Sequence, residues 1–394
     1  MDRPDMVPFR LDTETLGAAR ARATALAAAG EGRRIVARAR AGAALDDEAA
    51  ATLFLAGEVG TDELIALARA RRDGEPLRFE TFSPLYITNE CDAACLMCGM
   101  RRSNGELVRE TADETTIESQ LDILHRRGLR AVAILSGEYR YGARRRAMIE
   151  RAAVALRAAL ARGFRHVLIN IGSLDAPDYD LLLAGVSRAG DGRVVPRLTM
   201  CTFQETYQPE VYGRFMGTDQ KNPRSDYARR LRNFDRACDA GMWVANPGVL
   251  LGLNPDVAWE LLALLAHVRH LETRGMEVYV SLPRLRRASG TAYPAGIDDD
   301  RLCRLVTVLA LAAPRAKVVI STREPASMQR RLAPVIGVLT PGSPGVAPYT
   351  ETGARFDLEA SQFEVLDHRP IEAILGEYLA AGATIDCFEP AGSS

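Results

Sequence analysis

Residues 89–104 read NECDAACLMCGMRRSN. This stretch sets Cys91, Cys95 and Cys98 on one short loop, in a chain with 7 cysteines among 394 residues. Three thiolates can hold three irons of a [4Fe–4S] cube and leave the fourth iron open to a small molecule, whereas a closed structural site wants four protein ligands. No fourth ligand stands nearby, since the nearest histidine is His125 and the next cysteine is Cys201. The alternative is a zinc knuckle whose fourth ligand arrives from a distant segment, because short motifs also arise by chance.

Outward from the loop, strand and helix patterns alternate. The apolar runs Arg78–Asn89, Arg130–Ser136, Arg165–Ile171, Val194–Phe203, Met242–Gly252, Met276–Leu282, Ala316–Thr322 and Pro334–Thr340 read as strands. Most are short and rich in β-branched residues, as parallel strands buried on both faces are. Helical patterns lie between them. In Met148–Arg162 the residues Met148, Ala152, Leu156 and Leu160 share a face and Gly163 ends the run, and Val257–Arg274 is ended by Gly275. Eight such units predict an α/β fold, a (β/α)8 TIM-type barrel spanning residues 76–350. Residues 1–75 read as an N-terminal helical extension, with helices from Thr13 to Ala29, from Asp46 to Leu55, and a third with Thr61 as N-cap and Gly74 as stop. Residues 351–394 read as a C-terminal segment packing on the barrel: a polar stretch, a helix near Pro370–Ala381 and an irregular tail.

Composition narrows the function classes. A hydrophobic share of 47% supports a large core, and a net charge of −1 gives no reason to expect nucleic acid or an anionic membrane as partner. Lys221 and Lys317 are the only lysines, so arginine runs such as Arg144–Arg146 read as a compositional bias and a solvated helix start. No apolar leader or membrane-length stretch is present, and the irregular cysteine spacing is no disulfide framework. A reducing cytoplasm is the expected compartment, and Cys201, Cys238, Cys303 and Cys387 read as small apolar residues.

In a βα barrel the active site forms at the C-terminal ends of the strands. The cysteine loop follows the first strand there, and Glu138, Asn170, Glu205, Asn246, Arg284, Arg323 and Thr340 fall at or just after later strand ends. Singly each could be a helix cap or a turn, but their clustering at one rim favours function.

The CxxxCxxC loop on a βα barrel resembles the radical S-adenosylmethionine (SAM) superfamily. LYITNEC, CGMRRSN, QETY, YGRFMG and STREP resemble its aromatic amino-acid lyase branch, which includes 2-iminoacetate synthase, a tyrosine lyase. CDAACLMCGMR, SGEY, INIGS, NPGVLLGL and TPGSPGVAPY bring the likeness nearest to the tryptophan lyases (3-methyl-2-indolic acid synthases) of thiopeptide antibiotic biosynthesis, from about Phe82 to Tyr349. The resemblance implies a [4Fe–4S] cluster on Cys91, Cys95 and Cys98 whose open iron chelates SAM. It further implies that Met97 packs near adenine, that Glu138 holds the SAM amino group, that Arg230 points at SAM and that Glu205 reaches the SAM ribose or the substrate. At the substrate end it implies that Arg323 grips a carboxylate, that Tyr86 lines the pocket, and that Thr340 stands where the family has serine, adding a methyl that narrows the site.

The implied reaction is that of a carbon–carbon lyase. A 5′-deoxyadenosyl radical takes hydrogen from the amino group of L-tryptophan, the side chain fragments, and the carboxyl fragment migrates to indole C2 to give 3-methyl-2-indolic acid. A flavodoxin- or ferredoxin-type donor supplies the electron. The alternatives are a tyrosine lyase of the 2-iminoacetate synthase type, a lyase of a modified indole amino acid, a sulfur-inserting enzyme of the biotin synthase type, which would need a second compact cysteine cluster that the chain lacks, and a non-catalytic iron–sulfur or zinc protein.

Overall fold

Short apolar runs become strands at all eight expected places. The computed structural model describes residues 7–72, 75–291, 296–342, 344–351, 353–355 and 357–390, so Gly74 and Ser343 lie outside the described residues. The strands are β1 Arg78–Glu80, β2 Ser83–Tyr86, β3 Ala131–Leu135, β4 His166–Asn170, β5 Arg197–Cys201, β6 Val244–Asn246, β7 Glu277–Ser281, β8 Lys317–Ser321, β9 Val338–Thr340, β10 Tyr349–Thr350, β11 Gly353–Ala354 and β12 Thr384–Asp386. All but β10 and β11 form one parallel sheet in the order β12-β1-β9-β8-β7-β6-β5-β4-β3-β2. Because β1 and β2 are two halves of one segment, the sheet curls into a barrel of eight strand positions with helices outside.

The seam has a chemical cause. Pro84 has no N–H to give to a ladder, so side chains at the start of β2 and just before it stitch the segment to β9 and to the residue that follows it. Thr81 Oγ1 donates to the Leu339 carbonyl at 2.7 Å and Ser83 Oγ to the Pro341 carbonyl at 2.8 Å. Strand β12 pairs beside β1, with Arg78 opposite Thr384, so the tail is not irregular as expected but part of the sheet.

Alternation along the strands sorts the barrel interior into layers. Val132, Ile134, Val167, Ile169, Leu198 and Val280 face the helices. Phe82, Ala133, Leu168, Val244, Tyr279, Val319 and Val338 face inward and plug the barrel. Each fully buried aliphatic side chain there contributes about 2 kcal/mol. Below the plug sits a charged layer: Glu80 contacts His166, Tyr279, Arg197 and Lys317. Burial alone would raise the Glu80 pKa, but these partners hold it well below the carboxylate range. Above the plug, the last inward residue of successive strands is Tyr86, Leu135, Asn170, Cys201, Asn246, Ser281, Ser321 and Thr340, and all line one cavity. The barrel is therefore closed at one end and open at the end where strands stop.

Outside the barrel lie the helices Thr13–Ala28, Gly32–Arg40, Asp47–Leu55 and Thr61–Ala70. Asp46 caps the third through the Ala49 N–H. Thr61 is not a cap: Gly60 occupies that position, and Thr61 Oγ1 donates to Asp300 at 2.8 Å, so packing on the barrel took the hydroxyl. The stretch from Asp226 to Ala240 is two helices, Tyr227–Leu231 and Asn233–Asp239, broken at Arg232. Asn233 explains the break: its side chain accepts from Leu174 N at 2.9 Å and donates to Thr202 Oγ1 at 2.7 Å, tying it to the barrel instead of to a continuous helix face. In the arginine run Arg144 and Arg146 are exposed, but Arg145 is buried against Asp178 and is not solvated. Among the described residues no helix is long and apolar enough to cross a membrane.

Candidate active site

The cysteine loop follows β2 and carries little regular structure, so polar groups must hold it. Arg109 does most of this work, donating to the carbonyls of Asn89, Met100 and Arg101 at 2.7–2.9 Å. Asn104 donates to Gly99 O, and Asn89 to Val108 O, both at 2.8 Å. Gly137 is needed because a Cβ there would meet Glu90 O at 2.1 Å and Cys91 Cβ at 2.6 Å.

The ten residues given roles by the resemblance line one cavity with ≈ 1600 Å³ of empty space, its open mouth included: Cys91, Cys95, Cys98, Met97, Tyr86, Glu138, Glu205, Arg230, Arg323 and Thr340; Asn170 and Asn246 line it too, whereas Arg284 does not and is paired with Glu324 and Asp299. The three thiols are exposed to it together with Arg224 and Glu138. Cys91 Sγ accepts from the Ala93 and Glu138 N–H groups at 3.4 and 3.3 Å, and Gln362 Nε2 donates to Cys98 Sγ at 3.6 Å. Burial pushes Cys91 up to about 11 and Cys95 up to about 12, with Arg224 pulling Cys95 partly back. Such thiols become thiolates only when a metal displaces their protons.

The donor set fits a cluster. Thiolates on one zinc, each at about 2.3 Å, would stand within about 4 Å of one another. Among the described residues no three histidine, cysteine or carboxylate side chains are gathered to hold one ion. The three cysteines instead border one shared cavity, where each thiol can face a different iron.

Beside the loop, two acidic and two basic side chains interlock. Glu138 is 4% exposed, accepts from Ser173 N at 3.1 Å and from Arg230 Nη1 at 2.8 Å, and lies 3.7 Å from Arg224 Nε. Glu205 accepts from Arg224 Nη2 at 2.7 Å. Its φ of +69° is strained for a residue with a side chain, and backbone bonds to Gly248 and Leu250 hold it there. Gly172, at φ +90°, leaves room for Glu138, whose Cγ would stand 2.5 Å from an added Cβ. Met97 is buried among Ala93, Val211, Leu250 and Leu285, presenting an apolar wall.

Across the cavity the Arg323 guanidinium carbon sits 3.2 Å from the centroid of Phe363. Burial pulls Arg323 down to about 10, so it stays charged at neutral pH. Among the described residues no acceptor takes its side-chain N–H groups. Tyr86 is buried, and its hydroxyl donates to Gln362 Oε1 at 2.9 Å. Thr340 lies in register with Ser321 on the cavity wall.

Comparison with known proteins finds relatives that share this fold. The Biotin and Thiamin Synthesis associated domain matches residues 281–380. The 2-iminoacetate synthase of Escherichia coli (strain K12) is 28% identical over 324 residues, covering 79% of this chain and 78% of that protein. The same enzyme from Salmonella typhimurium is 26% identical over 264 residues, 64% of this chain and 63% of that one. Among solved structures, the FeFe-hydrogenase maturase HydG from Carboxydothermus hydrogenoformans superposes with a TM-score of 0.80 at 23% identity, over 96% of this chain and 86% of that one. The chain is an enzyme similar to the radical SAM aromatic amino-acid lyases. Its cofactors are a [4Fe–4S] cluster and SAM. Methylornithine synthase shares the fold, with a TM-score of 0.67 at 16% identity over 89% of this chain and 97% of that one.

Three cavity residues carry no mark in the sequence. Arg224, in NPRSD, is buried at the centre of the charge network but was hidden by the abundance of arginine. Gln362 and Phe363 lie in the polar stretch after Thr350, which has no periodicity to mark it. Cys201, read as an apolar filler, lines the cavity and donates to Asn246 Oδ1 at 3.2 Å.

Proposed function

We propose that this radical SAM lyase acts on L-tryptophan and yields 3-methyl-2-indolic acid. The observation that carries the reading is the Arg323 fork, charged, stacked on one face and spending no donor on the described protein, in the same cavity as the three cysteines. A planar guanidinium in that state is matched by a carboxylate, which it can hold through two parallel bonds. When bound, the cluster and SAM supply a carbon-centred radical that takes a hydrogen atom from the substrate.

The chain's own residues supply position. Arg323 holds the carboxylate throughout, so the fragment that leaves the side chain stays beside the indole ring instead of escaping. Tyr86 and Thr340 orient the polar end of the substrate, and the Thr340 methyl narrows the space there. The apolar wall of Met97 and Leu250 and the buried Glu138–Arg230–Arg224–Glu205 network keep solvent from the SAM side of the cavity. The electron comes from a flavodoxin- or ferredoxin-type carrier.

A second reading, a tyrosine lyase of the 2-iminoacetate synthase type, is favoured by the 28% identity to that enzyme. Turnover of both amino acids with dithionite and SAM, with products identified by mass, separates the two. Within the tryptophan reading, Arg323→Lys is expected to keep SAM cleavage but to lose or divert the indole product. Unchanged product yield would overturn the carboxylate assignment.

A further inference from the structure

The segment Leu358–Asp367 lies across the open end of the barrel. It is tied to three of the barrel's rim loops. Val108 N donates to Glu359 O at 2.9 Å and Gly99 N to Gln362 O at 3.2 Å on the cysteine side. Glu364 N donates to Arg287 O at 2.7 Å, and Leu366 and Asp367 both donate to Thr322 O, one residue before Arg323. Gly99 permits the approach, since a Cβ there would meet Ser361 O at 2.9 Å. Two adjacent side chains of this segment, Gln362 and Phe363, enter the cavity.

Each meets one residue assigned above to the substrate. Phe363 covers a face of the Arg323 guanidinium at 3.2 Å. Guanidinium N–H groups point in the plane of the group, so a ring on its face fixes that plane and consumes no donor. Gln362 stands between Tyr86 and Cys98, and the chemistry of Cys98 fixes which way its amide faces. An iron-bound thiolate can only accept, so the NH₂ end belongs to Cys98 Sγ at 3.6 Å and the carbonyl to the Tyr86 hydroxyl at 2.9 Å. The Tyr86 proton is then committed, and its lone pairs are what remain for a ligand.

We propose that Phe363 and Gln362 are positioning residues for the substrate: Phe363 fixes the plane in which Arg323 presents its fork, and Gln362 turns Tyr86 into a hydrogen-bond acceptor. This rests on the reading of Arg323 and Tyr86 as substrate contacts. It adds that the covering segment, which touches the cysteine loop and the Arg323 loop at once, holds both contacts in place before the amino acid enters.

The test is equilibrium binding to the anaerobically reconstituted, SAM-loaded enzyme, with no turnover, using L-tryptophan, L-tyrosine and their decarboxylated forms tryptamine and tyramine. Phe363→Leu should weaken the amino acids about tenfold while changing the amines less than about twofold, and Phe363→Tyr, which keeps the ring, should restore wild-type binding. Gln362→Leu should weaken tryptophan in the wild-type background but add nothing to Tyr86→Phe, because the two act as a unit. Equal losses for acids and amines in Phe363→Leu, or additive losses in the Gln362–Tyr86 cycle, would overturn the proposal. A wild-type preference for tyrosine would overturn only the tryptophan assignment, since the tyrosine–tyramine pair then reads the same effect. A wild type that binds neither amino acid would overturn both.

Discussion

Arg224→Met is the most informative single change to the charge network. The substitution keeps volume and removes a cation that is 8% exposed. Its two carboxylate neighbours fare differently. Glu138 keeps Arg230 at 2.8 Å and the Ser173 N–H at 3.1 Å. Glu205 loses the one charged partner it has among the described residues, Arg224 Nη2 at 2.7 Å. Removing one member of a buried ion pair costs about 3–5 kcal/mol, and losing a hydrogen bond to a charged group about 1.5–3. Glu205 borders an open cavity that water can enter, so the lower range applies, about 2–3 kcal/mol. Glu205→Gln removes the charge but keeps an acceptor and should cost about 1 kcal/mol. If the pair is what matters, the double variant should cost no more than Arg224→Met alone, a coupling of at least about 1 kcal/mol. Urea denaturation of the cluster-free chain measures all four corners of the cycle. Additive losses would refute the claim that Arg224 exists to neutralise Glu205.

Two glycines should separate the cluster from SAM. Gly137→Ala drives a methyl into Glu90 O and Cys91 and should lower the iron bound after reconstitution, whereas Gly172→Ala pushes on Glu138 and should weaken SAM binding by tenfold or more with iron retained; the reverse pattern would disprove the assignment of the two loops. On the helix Val257–Thr273, His267 is buried, bonded to the Tyr207 hydroxyl at 2.7 Å and pulled down to about 3 by burial. The unfolded chain binds the proton near pH 6.5 and the folded chain only near 3, so stability is complete above 6.5 and falls as acid is added. Between pH 6.5 and 4.5 His267 should account for a loss on the order of 3 kcal/mol, seen as a shallower acid dependence of the urea midpoint in His267→Gln; parallel profiles would contradict it.

The fold was legible because each strand is a short apolar run, and several end on a polar inward residue, as Asn170, Asn246, Ser321 and Thr340 do. Period two alone then sends those residues to one rim, and the three cysteines announce what the rim serves. The layer of Glu80, His166 and Arg197 could not be seen, because charged residues at strand starts look like solvent-facing ends until the barrel closes around them. Thr61 misled for a related reason: its hydroxyl went to Asp300 on another element, a choice local spacing cannot encode. Arg224 was hidden in an arginine-rich background. Gln362 and Phe363 were invisible because backbone bonds to distant loops hold their segment, and no hydrophobic period records such bonds.

The account stands on an iron cube held by Cys91, Cys95 and Cys98 and completed by SAM. Anaerobic reconstitution followed by iron analysis and assay with a strong reductant tests this directly. About four irons per chain, and SAM-dependent formation of 5′-deoxyadenosine that vanishes when Cys95 is replaced by alanine, are the predicted results. Stoichiometric zinc in place of iron, or a loaded cluster that leaves SAM intact under reduction, would contradict the account.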